Sequence, residues 1–104
     1  MHARVSTFQA GGQLDEAAVE KMRDNVIPRA RQIPGNAGVI LLADFANGEA
    51  LSVTLWQDEE ALRAGDQAAA ALRKDGAGQI GTQQQGVPRE FRVVAFDVER
   101  EAAR

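Results

Sequence analysis

Few side chains in this sequence are equipped for chemistry, and their types narrow what that chemistry can be. The single tryptophan, Trp56, ends an alternating segment in which Ser52 and Thr54 share its side. An indole so placed offers a flat apolar wall and one N–H donor, a pairing that orients an oxygen-bearing aromatic molecule. The same ring packed beneath a helix is simply core. Hydroxyls at Ser6, Thr7, Ser52 and Thr54 either line the same cavity or mark the wet side of half-buried strands. Asp24, Asn25 and Arg29 flank Pro28, where an interrupted helix frees a carbonyl and opens space, or else they are a solvated helix face. Asp44 and Asp97 are the carboxylates a general acid–base pair would need, but nothing in the sequence brings them together. The string Gly76-Ala77-Gly78-Gln79-Ile80-Gly81 spells a dinucleotide fingerprint. That chemistry needs a strand before the glycines and a helix after them. Here a helical segment precedes them and a Gln-rich stretch follows, so they read as a flexible loop, able to act as a lid. His2 reads as a terminal residue. No catalytic residue is assigned.

Composition removes whole classes. With no Cys there is no disulfide, thiolate nucleophile or iron–sulfur ligand. One His and no Tyr leave no multi-histidine metal site, no internal Ser-His-Asp triad and no phenolic acid. Twelve Lys+Arg against fifteen Asp+Glu give a net charge of −3, unlike a phosphate-binding surface, so no nucleic-acid partner is expected. The longest apolar run, Val39 to Ala43, is far below the ~20 residues of a membrane span. The first ten residues hold no apolar stretch of a secretory signal. A cytoplasmic setting is the expectation, with no membrane partner. The 104 residues suit one domain, 1–104, with 99–104 as a frayed tail.

The elements that must position these residues follow from hydrophobic period. Arg4 to Gln9 alternates, with Val5 and Thr7 opposite Ser6 and Phe8, and Gly11-Gly12 ends it. From Leu14 to Ile33 the period changes. Val19, Met22, Val26, Ala30 and Ile33 make one helical stripe, Asp15 is the candidate cap, and Pro28 predicts a kink or break. Asn36 to Ala46 is a strand apolar on both faces. Asn47-Gly48 signals a hairpin into Glu49 to Trp56, which alternates cleanly. Asp58 caps a second helix that ends at Asp75-Gly76, with Arg73 and Lys74 favourable at its C-terminal end. Lys74 to Pro88 reads as a loop with room for one helical turn, and Glu90 to Val98 as a last strand apolar on both faces. The order β-α-β-β-α-β is α+β and ferredoxin-like, a four-stranded antiparallel sheet with two helices on one face.

Two helices shelter one face only. Strands ~4.8 Å apart and ~17–20 Å long leave a few hundred Å² of the other face, near the upper limit a soluble monomer exposes. Closing two such sheets over one another removes it from water at about 25 cal/mol/Å². The chain is therefore expected to pair with itself as a homodimer through the sheet face.

The stretch Leu51-Ser52-Val53-Thr54-Leu55-Trp56-Gln57-Asp58-Glu59-Glu60-Ala61-Leu62 resembles the strand–Trp–capped-helix signature of the dimeric α/β-barrel superfamily. Within it, the chain is most similar to the antibiotic-biosynthesis-monooxygenase type. Val26-Ile27-Pro28-Arg29 through Ile33-Pro34-Gly35 is similar to the first-helix ending common there. The resemblance implies a dimeric α/β barrel with a small apolar pocket between helices and sheet in each subunit. It implies either a protein that binds a small aromatic molecule or an oxygenase that uses O2 without a cofactor. In the second case the substrate anion itself reduces O2, Trp56 positions it, and Thr54 or Arg92 is the polar partner. Thr7 completes the expected binding set of Trp56, Thr54, Thr7 and Arg92. Haem-degrading members add an Asn on the first strand and a His on the second helix. This chain has Ser6 and Thr7 on the first strand and no His on that helix, so that activity does not carry over.

Overall fold

The computed structural model describes residues 1–99. The last five residues, which include most of the expected tail, lie outside the described part. Strand β1 (His2–Ala10) leads to helix α1 (Glu16–Arg31), strands β2 (Asn36–Asp44) and β3 (Glu49–Trp56), helices α2 (Glu59–Ala64) and α3 (Asp66–Gln79), and short strands β4 (Thr82–Gln84) and β5 (Arg89–Arg92). This is the expected α+β architecture, an antiparallel sheet with its helices packed on one face.

The sheet order is β2-β3-β1-β4, and β5 also pairs with β1. The lane beside β1 is therefore shared. β4 pairs with its Phe8–Ala10 end and β5 with its His2–Val5 end. One strand was expected there over Glu90 to Val98. Only Arg89–Arg92 forms it, because β1 begins at His2, opposite Arg92, and offers no further ladder partner. Val93 still donates its N–H to the Met1 carbonyl at 2.9 Å.

Register divides the side chains between two faces. β3 pairs with β1 from His2↔Trp56 to Gln9↔Glu49, and with β2 from Asn36↔Trp56 to Asp44↔Glu49. Successive side chains alternate. Arg4, Ser6 and Phe8 therefore share the helix face with Ala50, Ser52, Thr54 and Trp56, while Val5, Thr7, Ile40, Leu42, Leu51 and Val53 point the other way. On that helix-free face Ile40, Leu42 and Phe91 are exposed.

The Asp15 carboxylate caps α1, accepting the Ala17 N–H at 3.2 Å, and Met22, Val26 and Ala30 recur every fourth residue on the buried side. The helix runs on through Pro28, so of the kink or break expected there the break does not occur. Proline removes one donor, but Val26 and Ala30 on either side are held in the core. The β2–β3 turn depends on Gly48, whose φ is +72° and whose Cβ would collide with the Gly12 carbonyl. Asp44 fixes this turn through the Asn47 backbone N–H at 3.2 Å and side-chain amide at 2.8 Å.

The second helical region differs from expectation in two ways. It divides at Gly65, and it continues past Asp75-Gly76 to Gln79. A Cβ at Gly65 would stand 2.7 Å from Cζ3 of Trp56, so the chain steps aside there to let the indole in. Gly76 packs beside Met22 and Val26, and this close α1–α3 approach holds the glycine-bearing turn helical despite its low propensity. The fingerprint-like glycines therefore belong to a helix and the turn after it rather than to a flexible lid. Among the described residues, no helix is long and apolar enough to cross a membrane.

Candidate functional site

The helix-side core is split. At one end Phe8, Leu14 and Ala50 form a buried cluster with Val19, Ala77 and Ile80 against it. At the other, Trp56, Leu62 and Ala69 form a second, joined by Ile33 and Ala61. Between them, under α1 and α3, the side chains leave a cavity of about 90 Å³. Val26 and Leu72 roof it, and Val39, Leu41, Ser52 and Thr54 form its floor. A native interior is close-packed, so a gap of this size in a 104-residue chain stands out.

Trp56 forms the end wall and has no solvent exposure. Its indole N–H donates to Thr54 Oγ1 at 3.0 Å. That bond fixes the indole N–H and leaves the Thr54 hydroxyl proton free to donate onward. Asn36 is fully engaged. Its Oδ1 accepts from Arg31 at 2.8 Å, and its amide donates to the carbonyls of Gly38 at 3.3 Å and Leu55 at 3.2 Å. It ties α1 to the sheet edge and has little left for a ligand.

One arginine, Arg73, lines this apolar chamber, and a second, Arg4, lies near it. Arg4, on β1 opposite Thr54, is only 3% exposed. Its Nη2 donates to the Leu62 carbonyl at 3.2 Å and pairs with Asp66 at 3.0 Å, and its guanidinium lies 5.9 Å from the Trp56 ring centroid. Its Nη1 is buried with no hydrogen-bond partner among the described residues. Arg73, on α3, lines the cavity itself, and both its Nε and its Nη1 are buried without a partner among the described residues. Burial, then the positive charge of Arg4, push its guanidinium below the ordinary arginine pKa, against the pull of Asp66.

This fold has counterparts among solved structures. SnoaB, a cofactor-independent oxygenase from Streptomyces nogalater, superposes with a TM-score of 0.66 at 17% identity, over 91% of this chain and 94% of its own. The chain has the antibiotic-biosynthesis-monooxygenase fold. MhuD, a haem-degrader from Mycobacterium tuberculosis solved with two haems bound, shares this monooxygenase fold at a TM-score of 0.62 and 23% identity, over 95% of this chain and all of its own. So does a monooxygenase from the ActVA-Orf6 gene of Streptomyces coelicolor, solved with nanaomycin D, at 0.57 and 21%, over 93% and 92%. No protein-family model matches the sequence. Among curated proteins it is similar to two uncharacterized Mycobacterium tuberculosis proteins, Rv2558 and Rv2557, at 32% and 29% identity over 73 residues. The chain spans about a third of the length of these relatives, with 31% and 33% of each matched.

Within this monooxygenase-fold chamber, the expected binding residues separate. Trp56 and Thr54 are brought together on its wall. Thr7 is not there. It sits opposite Leu51 on the helix-free face, out of phase with Ser6 and Phe8, so strand alternation prevents it from joining Thr54. Arg92 is exposed on β5 and outside the cavity wall. Asp44 is engaged in its turn, and Arg29 pairs with Asp75 of α3 at 3.0 Å. His2 lies in β1 opposite Trp56, half-buried rather than terminal and free. Sequence reasoning missed Arg4 and Arg73. The signal for Arg4 was its parity with Ser6 and Phe8. Arg73 was hidden by the expected helix end, which made a mid-helix residue look like a dipole partner.

Proposed function

We propose that the protein binds a small apolar or aromatic molecule in the chamber between sheet and helices, and that it works as a homodimer joined through the helix-free sheet face. The observation that carries this reading is the chamber itself, a void between two separate core clusters walled by Trp56. An empty apolar gap destabilises a fold, and a ligand that fills it recovers the lost contacts. The fold likeness to SnoaB and to the nanaomycin-bound monooxygenase supports the choice of ligand class. The exposed Ile40, Leu42 and Phe91 support the pairing of sheets. The reading keeps the cytoplasmic setting expected from the cysteine-free composition.

Trp56 also favours a second reading, oxidation of a polycyclic phenol or anthrone by O2 with no cofactor. In that case an anthrone carbon loses a proton, the carbanion passes electrons to O2, and one oxygen stays as the new carbonyl while the other leaves as water. The chain's part is to exclude water and to hold the ring against Trp56, with the Thr54 hydroxyl donating to the substrate oxygen. Haem turnover is not part of the proposal, because the helices over the chamber carry no His.

Oxygen uptake with anthrone-type substrates separates the two readings. Uptake above buffer that falls in Trp56→Phe supports the oxygenase. Saturable binding of such aromatics, seen by calorimetry and without uptake, supports the binding protein. Absence of both across such a panel defeats the proposal.

A further inference from the structure

We infer that the ligand of this chamber is a small apolar carboxylic acid, its hydrocarbon body lying between Leu72 and Leu41 and its carboxylate accepting from Arg73. The inference rests on the reading of the chamber as a ligand site and specifies what that site selects.

Arginine presents donors only, and a buried donor left without an acceptor is unfavourable enough that proteins almost always satisfy it. Arg73, a residue of the chamber wall, has two nitrogens in that state, both covered by neighbouring atoms, so a turn of its side chain is what brings one of them to a ligand. The neighbouring carboxylate, Asp66, acts on Arg73 through space but makes no hydrogen bond to it, its Oδ1 lying against Arg4 at 3.0 Å. Asp75, two residues along α3, is held by Arg29 at 3.0 Å. Arg4 lies nearby with a free Nη1, but its charge is balanced by Asp66, so the surplus positive charge at this end of the chamber is that of Arg73. The rest of the wall is almost wholly apolar, and a low local dielectric raises the value of one ionic contact. Arginine favours oxyanions, and a carboxylate is the common organic oxyanion that is fully ionised at neutral pH. The same residues disfavour an apolar amine, which would place a third cation beside Arg4 and Arg73.

The test compares naphthalene-2-carboxylate and octanoate with their methyl esters by isothermal titration calorimetry on the intact chain at neutral pH. The acids should bind about tenfold or more tightly than the esters, as a charge-assisted hydrogen bond in an apolar site implies. In Arg73→Met that preference should vanish, with ester affinity retained. Arg73→Lys should keep part of it. Equal binding of acid and ester by the unmodified protein overturns the anion assignment and leaves the ligand site standing. A preference that survives Arg73→Met also overturns it. Binding of neither acids nor esters defeats the ligand-site reading, and the inference with it.

Discussion

Substitution of Gly65 by Ala probes how tightly the fold is built around Trp56. The residue sits at the α2–α3 step with φ −87° and ψ 1°, values alanine adopts without strain. The backbone therefore does not oppose the change, and space does. A Cβ would lie 2.7 Å from Cζ3 and 2.8 Å from Cη2 of Trp56, and 3.0 Å from Cγ2 of Ile33. Trp56 has no exposed surface, and its indole N–H is tethered to Thr54, so it can yield only toward the chamber. Overpacking of this kind destabilises by about 1–3 kcal/mol. Alanine returns about 0.4–1 kcal/mol by restricting the unfolded chain. The net loss should be about 1–2 kcal/mol, a fall in Tm of roughly 5–15 °C for a domain of this size. Urea unfolding read by Trp56 fluorescence gives the loss directly, and the emission maximum of the folded variant reports displacement of the indole. In a Trp56→Phe background, with unfolding read by circular dichroism, the six-membered ring of the indole is gone, so the same glycine change should cost clearly less. Equal or greater stability for Gly65→Ala, or an undiminished loss in the Trp56→Phe background, would refute this account of the wall.

Gly78→Ala is the counterpart, since a Cβ there meets nothing within 4 Å inside α3, and a gain of about 0.5–1 kcal/mol in urea unfolding is expected. Asp58→Ala removes the acceptor of the Ala61 N–H at 2.8 Å and should lower stability by about 1 kcal/mol in the same assay. Asp66→Asn withdraws the counterion of a guanidinium that is 3% exposed and should lower stability by about 1–3 kcal/mol, whereas Arg73→Met, which removes a cation lacking such a partner among the described residues, should leave the unliganded protein at least as stable. Light scattering after size exclusion should give twice the 11.2 kDa chain mass, and Ile40→Lys on the exposed sheet face should restore the single mass.

Much of the fold could be read from local signals. The Ser6/Phe8 alternation gave β1, the Asn47-Gly48 turn paired β2 with β3, and the Asp15 and Asp58 carboxylates cap their helices where expected. What could not be read depends on tertiary contact. Gly76 and Gly78 are poor helix formers, and only the packing of α3 against Met22 and Val26 keeps them helical. The division at Gly65 follows from the position of the indole, which no local pattern reports. The Gln83-Gln84 stretch has no alternation of its own and becomes a strand by borrowing the Gln9–Phe8 edge of β1. For the site, Trp56 and Thr54 were legible because they share a strand face. Ser6 and Thr7 looked equivalent until register assigned one to each face. Arg73 became visible only with the full length of α3.

The most direct measurement is a crystal structure of the protein grown with naphthalene-2-carboxylate. The account predicts density for the ring system between Leu72 and Leu41, with its carboxylate oxygen within hydrogen-bonding distance of Arg73 and the indole of Trp56 in its present place. A chamber filled by inward movement of Met22 and Trp56, with no ligand density, would contradict it.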